Sequence, residues 1–362
     1  MRRLTAYVLP LVLLLSGCGA QLSPDEAQES IQVLAMDTAM LITTYGERSP
    51  AAAYACEDTI RDLEKQLSRT LEDSEVSRLN AAGGGAMEIG EDLLALLRSA
   101  QRYYELTDGA FDVTVAPVVS AWGFTADSFR VPARGELEEL LALVDGSQVS
   151  ITPSLDSNGD GPKAAVTLGP GQSIDLGGLA KGYAADKIVE VLREHDVPRA
   201  NINLGGNVLA YGDRPDGTPW RVGVQDPARV GEQNAFAGVL ALTDSFAVTS
   251  GGYQRYFEQD GKTYHHIIDP ATGCPADSGL ASVTVVADIG EGHPGTMCDA
   301  LSTALFVMGE EQALDFWRGG VPDSHFELVL VTEDGRVVVT PGLADRFTLD
   351  EDSGYTLEVV SP

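Results

Sequence analysis

The chain has 362 residues, 44% of them hydrophobic, and 54 acids against 24 Lys and Arg give a formal net charge of −30. That length holds one large domain or two ordinary ones, with apolar residues enough for a sizeable core. So acidic a surface disfavours nucleic acid and anionic lipid as partners, and any anionic ligand needs a local positive patch or a metal.

Arg2 and Arg3 precede an apolar run over residues 4–15, too short to span a bilayer. It ends in Leu15-Ser16-Gly17-Cys18, which resembles a bacterial lipobox. The expectation is a signal peptide over residues 1–17, a lipidated Cys18, a polar tether over 18–31 and an extracytoplasmic, membrane-anchored body. Cleavage removes two arginines and no acid, taking the charge from −30 to −32. Cys56, Cys274 and Cys298 are no disulfide framework, and a Cys274–Cys298 bridge has no support in the sequence. The body, without a second long apolar run, reads as soluble.

Residues 32–45 are rich in β-formers and predict one long strand. Residues 49–70 predict a helix, with Ala53, Cys56, Ile60, Leu63 and Leu67 on its apolar face. Residues 74–80 read as a turn, 83–85 as a glycine break and 91–104 as a second helix with Leu93, Leu94, Leu96 and Leu97 inward. The run T-D-G-A-F-D-V-T from Thr107 follows, then Trp122-Gly123-Phe124. A third helix is expected over 134–143. Residues 156–161 read D-S-N-G-D-G, half of an EF-hand loop, but Thr167 stands where a bidentate Glu is needed, so a hairpin turn is the expectation.

The stretch over 173–188, S-I-D-L-G-G-L-A-K-G-Y-A-A-D-K-I, predicts a strand end, a glycine turn and a helix. Asp175 closes the strand and Lys181 falls in the first helical turn. A helix N-terminus with a lysine suits phosphate. A Walker A loop is excluded, because Lys181 precedes Gly182. The turn could equally pack a strand on a helix; these residues alone leave both readings open. Downstream, 200–211 alternates as a strand around Gly205-Gly206, strands are expected over 221–225, 238–242 and 281–287, and 246–250 leads into Gly251-Gly252. A helix is expected over 298–308 and a hairpin over 327–340, turning on Asp334-Gly335.

Asp299 and Thr303 are four apart on the 298–308 helix, two hard oxygen donors on one face, which suit Mg²⁺ better than zinc. Alone they could be a cap or core. His265 and His266 point opposite ways in a strand and cannot chelate together. No G-x-S-x-G elbow and no H-E-x-x-H is present.

The motifs M-D-T-A-M, T-D-G-A-F-D-V-T, W-G-F, D-L-G-G-L-A-K-G, S-G-G-Y, H-H-I-I-D-P-A-T-G and D-A-L-S-T-A occur in this order. Together they resemble the ApbE family of FAD:protein FMN transferases, over about residues 32–349. The resemblance implies an α+β fold of mixed and antiparallel sheets flanked by helices, in two parts with FAD in the cleft. It leaves residues 350–362 as a C-terminal tail. It implies flavin contacts at Met36, Trp122, Gly123, Phe124, Asp175, Lys181, His266 and Ile267, and Mg²⁺ at the Gly178 carbonyl, Asp299 and Thr303, with Ser302 nearby. Asp37 departs from the glycine of the family's Met-Gly-Thr strand.

The implied reaction is Mg²⁺-dependent transfer of FMN from FAD to a Thr or Ser hydroxyl of a client, releasing AMP. Asp299 and Lys181 would be catalytic, and His266 either a base or a flavin-packing residue. The implied clients are flavoprotein subunits of membrane redox complexes. A Mg²⁺-dependent FAD pyrophosphatase and a non-catalytic flavin-binding lipoprotein are the alternatives.

Overall fold

In the computed structural model, which describes residues 27–125, 128–153 and 164–361, the first β-rich run folds back on itself. Met36 and Asp37 take φ of 49° and 57° and join β1 (Gln28–Ala35) to β2 (Thr38–Tyr45) as an antiparallel hairpin. Positive φ at both central residues is the turn whose twist suits a two-residue hairpin, so the expected single strand becomes two. Asp tolerates that region and stands in for glycine at position 37; Met36 carries a cost of about 1–2 kcal/mol.

α1 (Ser49–Leu67) starts with Pro50 in its first turn and buries Ala53, Cys56, Ile60, Leu63 and Leu67, as its spacing predicts. Of residues 74–80, expected as a turn, 75–80 belong instead to α2 (Glu75–Ala81). Ser74 Oγ caps it by accepting the Ser77 N–H at 2.9 Å, and Val76 and Leu79 anchor it. β3 (Met87–Ile89) leads into α3 (Glu91–Leu106), which buries all four expected leucines. α4 (Ala116–Trp122), α5 (Arg134–Leu141), β4 (Ser150–Pro153) and β5 (Ala164–Thr167) follow. The D-S-N-G-D-G turn between β4 and β5 lies outside the described residues.

The segment before α6 (Ala180–Glu194) is not a strand. Asn80 takes the place of a sheet neighbour: its amide accepts the Ile174 N–H at 2.7 Å and donates to the Ile174 carbonyl at 3.0 Å. β6 (Arg199–Asn203) and β7 (Asn207–Tyr211) are two strands where one was expected, because Gly205 and Gly206 turn the chain at φ 69° and 103°. β8 (Trp220–Gln225), β9 (Phe236–Leu242), β10 (Ser245–Gly251), β11 (Tyr256–Gln259), β12 (Lys262–His265) and β13 (Leu280–Asp288) follow. Then come α7 (Pro294–Met308), which starts four residues before the expected helix, α8 (Glu310–Gly319), β14 (Glu327–Thr332), β15 (Arg336–Val339), β16 (Phe347–Leu349) and β17 (Thr356–Val359).

Among the described residues a nine-stranded sheet runs β1-β2-β6-β7-β10-β13-β14-β15-β17, antiparallel except for the last, parallel pair. This moves two expected boundaries. β1 begins inside the presumed tether, and the presumed C-terminal tail supplies the edge strand β17. β14 is buried on both faces, so its middle, residues 328–331, reads as an unbroken apolar run. Leu328 and Leu330 face the core under α1, α6 and α7, while Val329 and Val331 face the core under the small sheet β16-β9-β8. The α+β class with mixed sheets and flanking helices is as expected. Cys56, Cys274 and Cys298 are free thiols, so no Cys274–Cys298 bridge forms; Cys18 and residues 1–17 lie outside the described residues.

Candidate active site

A cleft of about 1030 Å³ opens beside the N-terminal end of α6 and the middle of α7. Met36, Phe124, Asp175, Gly178, Lys181, His266, Ile267, Asp299 and Thr303 reach its wall. Trp122, Gly123 and Ser302 do not.

At the N-terminus of α6, where the residues alone left a phosphate site and a packing turn both open, a carboxylate of the protein meets one of the helix N–H groups. Asp299 Oδ2 accepts the Gly182 N–H at 2.8 Å, across 117 residues of sequence. Burying a carboxylate is costly unless donors meet it, and the positive end of a helix offsets that cost. Lys181 Nζ lies 4.0 Å from the second oxygen, Oδ1, and donates to the Gly177 carbonyl at 3.3 Å. Lysine and carboxylate therefore face the cleft side by side.

Thr303 stands one turn beyond Asp299. Ser250 Oγ, at the end of β10, lies 3.2 Å from Thr303 Oγ1 and 2.8 Å from Ser302 Oγ. Ser302 is fully buried and also donates to the Asp299 carbonyl at 2.9 Å, so it braces the helix and is no candidate ligand in this arrangement. A side chain at Gly178 would reach 3.4 Å from Thr303 Oγ1 and press on the Phe111 ring, which explains glycine there. Carboxylate, hydroxyl and main-chain oxygens make a hard donor set suited to Mg²⁺. The described residues contain no cluster of three or more His, Cys, Asp or Glu that could hold a metal. A cation here would depend on ligand oxygens as well, the usual habit of Mg²⁺ at phosphate sites.

Asp175 is committed to a partner that no local motif announces. Its Oδ2 accepts from Arg69 Nη1 at 2.6 Å, its Oδ1 from the Gly177 N–H at 2.8 Å, and Arg69 also donates to Ser120 Oγ at 2.5 Å. The pair is mostly shielded, so it fixes the loop that ends at Lys181 more firmly than an exposed pair would. Arg69, Ser250 and Arg255 are cleft residues that local pattern reading missed; only Ser250 lies in a motif, S-G-G-Y.

His266 is half-buried, with Nδ1 3.2 Å from the Arg255 carbonyl. A carbonyl can only accept, so Nδ1 carries the proton and Nε2 keeps its lone pair. Burial pushes the imidazole down to about 4, which keeps it neutral at pH 7. His265 turns the other way, its Nε2 2.9 Å from the Ala276 carbonyl.

Trp122, which the resemblance gives as a flavin contact, is set back from the cleft wall. It is 2% exposed, its indole N–H donates to the Gly273 carbonyl at 2.8 Å, and its ring packs 5.3 Å from Tyr264. Gly123 ends α4 at φ 84°, where a side chain would collide with the Ser128 carbonyl. Together they aim Phe124 at the cleft, 6.4 Å from the His266 ring. Met36, at the β1–β2 turn, donates its N–H to Glu64 Oε1 at 2.6 Å.

Comparison with known proteins gives the same direction as the motifs. The ApbE family model matches residues 36–324. A Treponema pallidum protein named FAD:protein FMN transferase is 34% identical over 364 residues, covering 96% of each chain. A Haemophilus influenzae protein of the same name is 35% identical over 264 residues, covering 72% of this chain and 73% of its own. The crystal structure of the ApbE protein of Thermotoga maritima superposes with a TM-score of 0.74 at 32% identity, covering 90% of this chain and 97% of its own. The flavin transferase ApbE of Vibrio cholerae gives 0.71 at 26% identity, covering 89% and 96%. With a family match over most of its length and relatives that span nearly all of it, the chain belongs to the ApbE family.

Proposed function

We propose that the chain is an FAD:protein FMN transferase, the activity for which its relatives are named, and that it acts with Mg²⁺ on a Thr or Ser hydroxyl of a client protein. One juxtaposition carries the reading: Lys181 in the first turn of α6 shares one cleft wall with Asp299 and Thr303 from the middle of α7, and among the described residues no Ser–His or Cys–His hydrogen-bonded pair stands beside them. Such a wall can hold a diphosphate but offers no covalent relay, which suits transfer governed by positioning and charge.

In the proposed reaction the client hydroxyl forms a bond to the FMN-side phosphorus. The bond from that phosphorus to the bridging oxygen breaks, and AMP leaves with the oxygen. Lys181 pairs with phosphate oxygens. His266, neutral with Nε2 free, takes the hydroxyl proton. Asp299 Oδ1, Thr303 Oγ1 and the Gly178 carbonyl would hold Mg²⁺, which when bound neutralises charge on the phosphates. The test is to incubate the protein with FAD, Mg²⁺ and a candidate client. A client heavier by one FMN, with matching AMP, is expected. FMN and AMP from FAD alone would replace the reading with a pyrophosphatase, and no turnover in either case would refute it.

We infer also that Cys18 is lipidated, holding the body at the extracytoplasmic face beside client subunits of membrane redox complexes. The Leu-Ser-Gly-Cys run supports this, together with the few residues between Cys18 and β1. No helix among the described residues is long and apolar enough to cross a membrane. Fatty-acid labelling should mark the protein and be lost in Cys18→Ala.

A further inference from the structure

The two helices of the polar wall carry the same short pattern. α6 reads Gly182-x-x-x-Asp186 and α7 reads Gly295-x-x-x-Asp299. The glycines are where the helices touch: a side chain on Gly182 would run into the Gly295 carbonyl, and one on Gly295 would come 2.7 Å from the Gly182 carbonyl. Each aspartate reaches across to the other helix's glycine. Asp299 Oδ2 accepts the Gly182 N–H at 2.8 Å, and Asp186 Oδ1 accepts the Gly295 N–H at 2.8 Å. Asp186 Oδ2 also accepts the Thr296 N–H at 2.8 Å and hydroxyl at 2.7 Å, with His293 Nδ1 3.9 Å away.

Neither helix has a side-chain cap from its own preceding residue, Leu179 or His293. The unpaired N–H groups of each first turn are instead met by a carboxylate from the other helix, the charge that a helix N-terminus favours. The two ends of this exchange differ in one respect. Asp186 is sealed, with both oxygens engaged and no place on the cleft wall, whereas Asp299 Oδ1 faces the cleft beside Lys181.

We propose that Asp186 is a positioning residue for Asp299: capping α7 from α6 fixes how far the first turn of α7 sits along α6, and so the direction in which Asp299 Oδ1 faces. This rests on the reading of Asp299 as the carboxylate that holds Mg²⁺. Without Asp186, three donors at the start of α7 lose their acceptor, and Asp299 is one turn away on the same helix. Residues that orient a metal ligand without touching the metal commonly cost ~10–100-fold in metal affinity when changed.

The test uses the full chain with FAD present, Mg²⁺ affinity by calorimetry, Mn²⁺ by electron paramagnetic resonance, and thermal melts. Asp186→Asn keeps the size of the side chain but sets an NH₂ against donors. It is expected to melt cooperatively, bind FAD without metal as the parent does, and bind Mg²⁺ at least ~10-fold more weakly. Thr296→Val should show a smaller loss in the same direction, and Thr296→Ser none. Asp299→Asn is the reference. If it loses Mg²⁺ affinity while folded Asp186→Asn and Thr296→Val keep the parent value, Asp186 is only structural and the proposal is overturned. If Asp299→Asn itself binds Mg²⁺ as the parent does, the underlying metal reading falls and the proposal with it.

Discussion

On the helix side of the cleft the chemical groups are fixed by hydrogen bonds to backbone; on the aromatic side they are fixed by packing. Asp299 is held by the Gly182 N–H, Asp175 by the Gly177 N–H and Arg69, and Lys181 by the Gly177 carbonyl. Opposite, Phe124 and Ile267 sit where buried neighbours push them, and His266 has one carbonyl contact. The stack Trp122, Phe257, Tyr264 and Phe129 lies behind Phe124, with Phe129 and Phe257 5.3 Å apart. A motif residue on the helix side therefore tends to face the ligand space, whereas on the aromatic side it can be support one layer back, as Trp122 is.

The comparison breaks first at Asp299. Asp299→Ala should lower Mg²⁺-dependent FMN transfer by at least ~100-fold with the melt still cooperative; unchanged transfer would remove the helix side from the chemistry. Lys181→Ala should weaken FAD binding by ~10–100-fold, the worth of a hydrogen bond to a charged group, read by fluorescence titration. On the aromatic side the expected loss is in stability instead. Trp122→Phe leaves the Gly273 carbonyl without its donor and should cost about 1–3 kcal/mol in denaturant unfolding. Transfer per folded molecule should hold; a large fall in turnover would put Trp122 back at the flavin.

His266 sharpens the contrast by pH. Its folded-state value, about 4, lies below the ordinary 6.5, so the unfolded chain takes up the proton first. Its contribution to stability is intact above 6.5 and is lost as pH falls toward 4. Nuclear magnetic resonance of the ring should place its midpoint near 4, and a midpoint near 6.5 would mean the aromatic side is wet. The smallest effect is expected from Asp37→Gly, which relaxes φ 57° and should change stability by less than about 1 kcal/mol with transfer unchanged.

Helices α1, α3 and α6 were legible because their apolar spacing is local and repeats every three or four residues. The two hairpins read as single strands were not. A β-rich run looks alike on both sides of a turn, and Met36 gives no hint of positive φ. Residues 74–80 hid a helix because α2 is only 7 residues long and buries just Val76 and Leu79, too few apolar positions to show a period. On the cleft wall, the positions of Lys181, Asp299 and Thr303 were legible from the ordered motifs. Arg69 was not, since nothing near it in sequence announces Asp175, 106 residues away.

By itself the sequence determined which residues could carry charge, donate or ligate, and where the main helices run, because those follow from side-chain type and short-range periodicity. The tertiary structure alone decided what each does. Gly182-x-x-x-Asp186 and Gly295-x-x-x-Asp299 are the same local statement, yet one carboxylate is sealed and the other faces the cleft. Exposure, and with it chemical availability, is set by what packs over a side chain from elsewhere in the fold, and no local pattern contains that information.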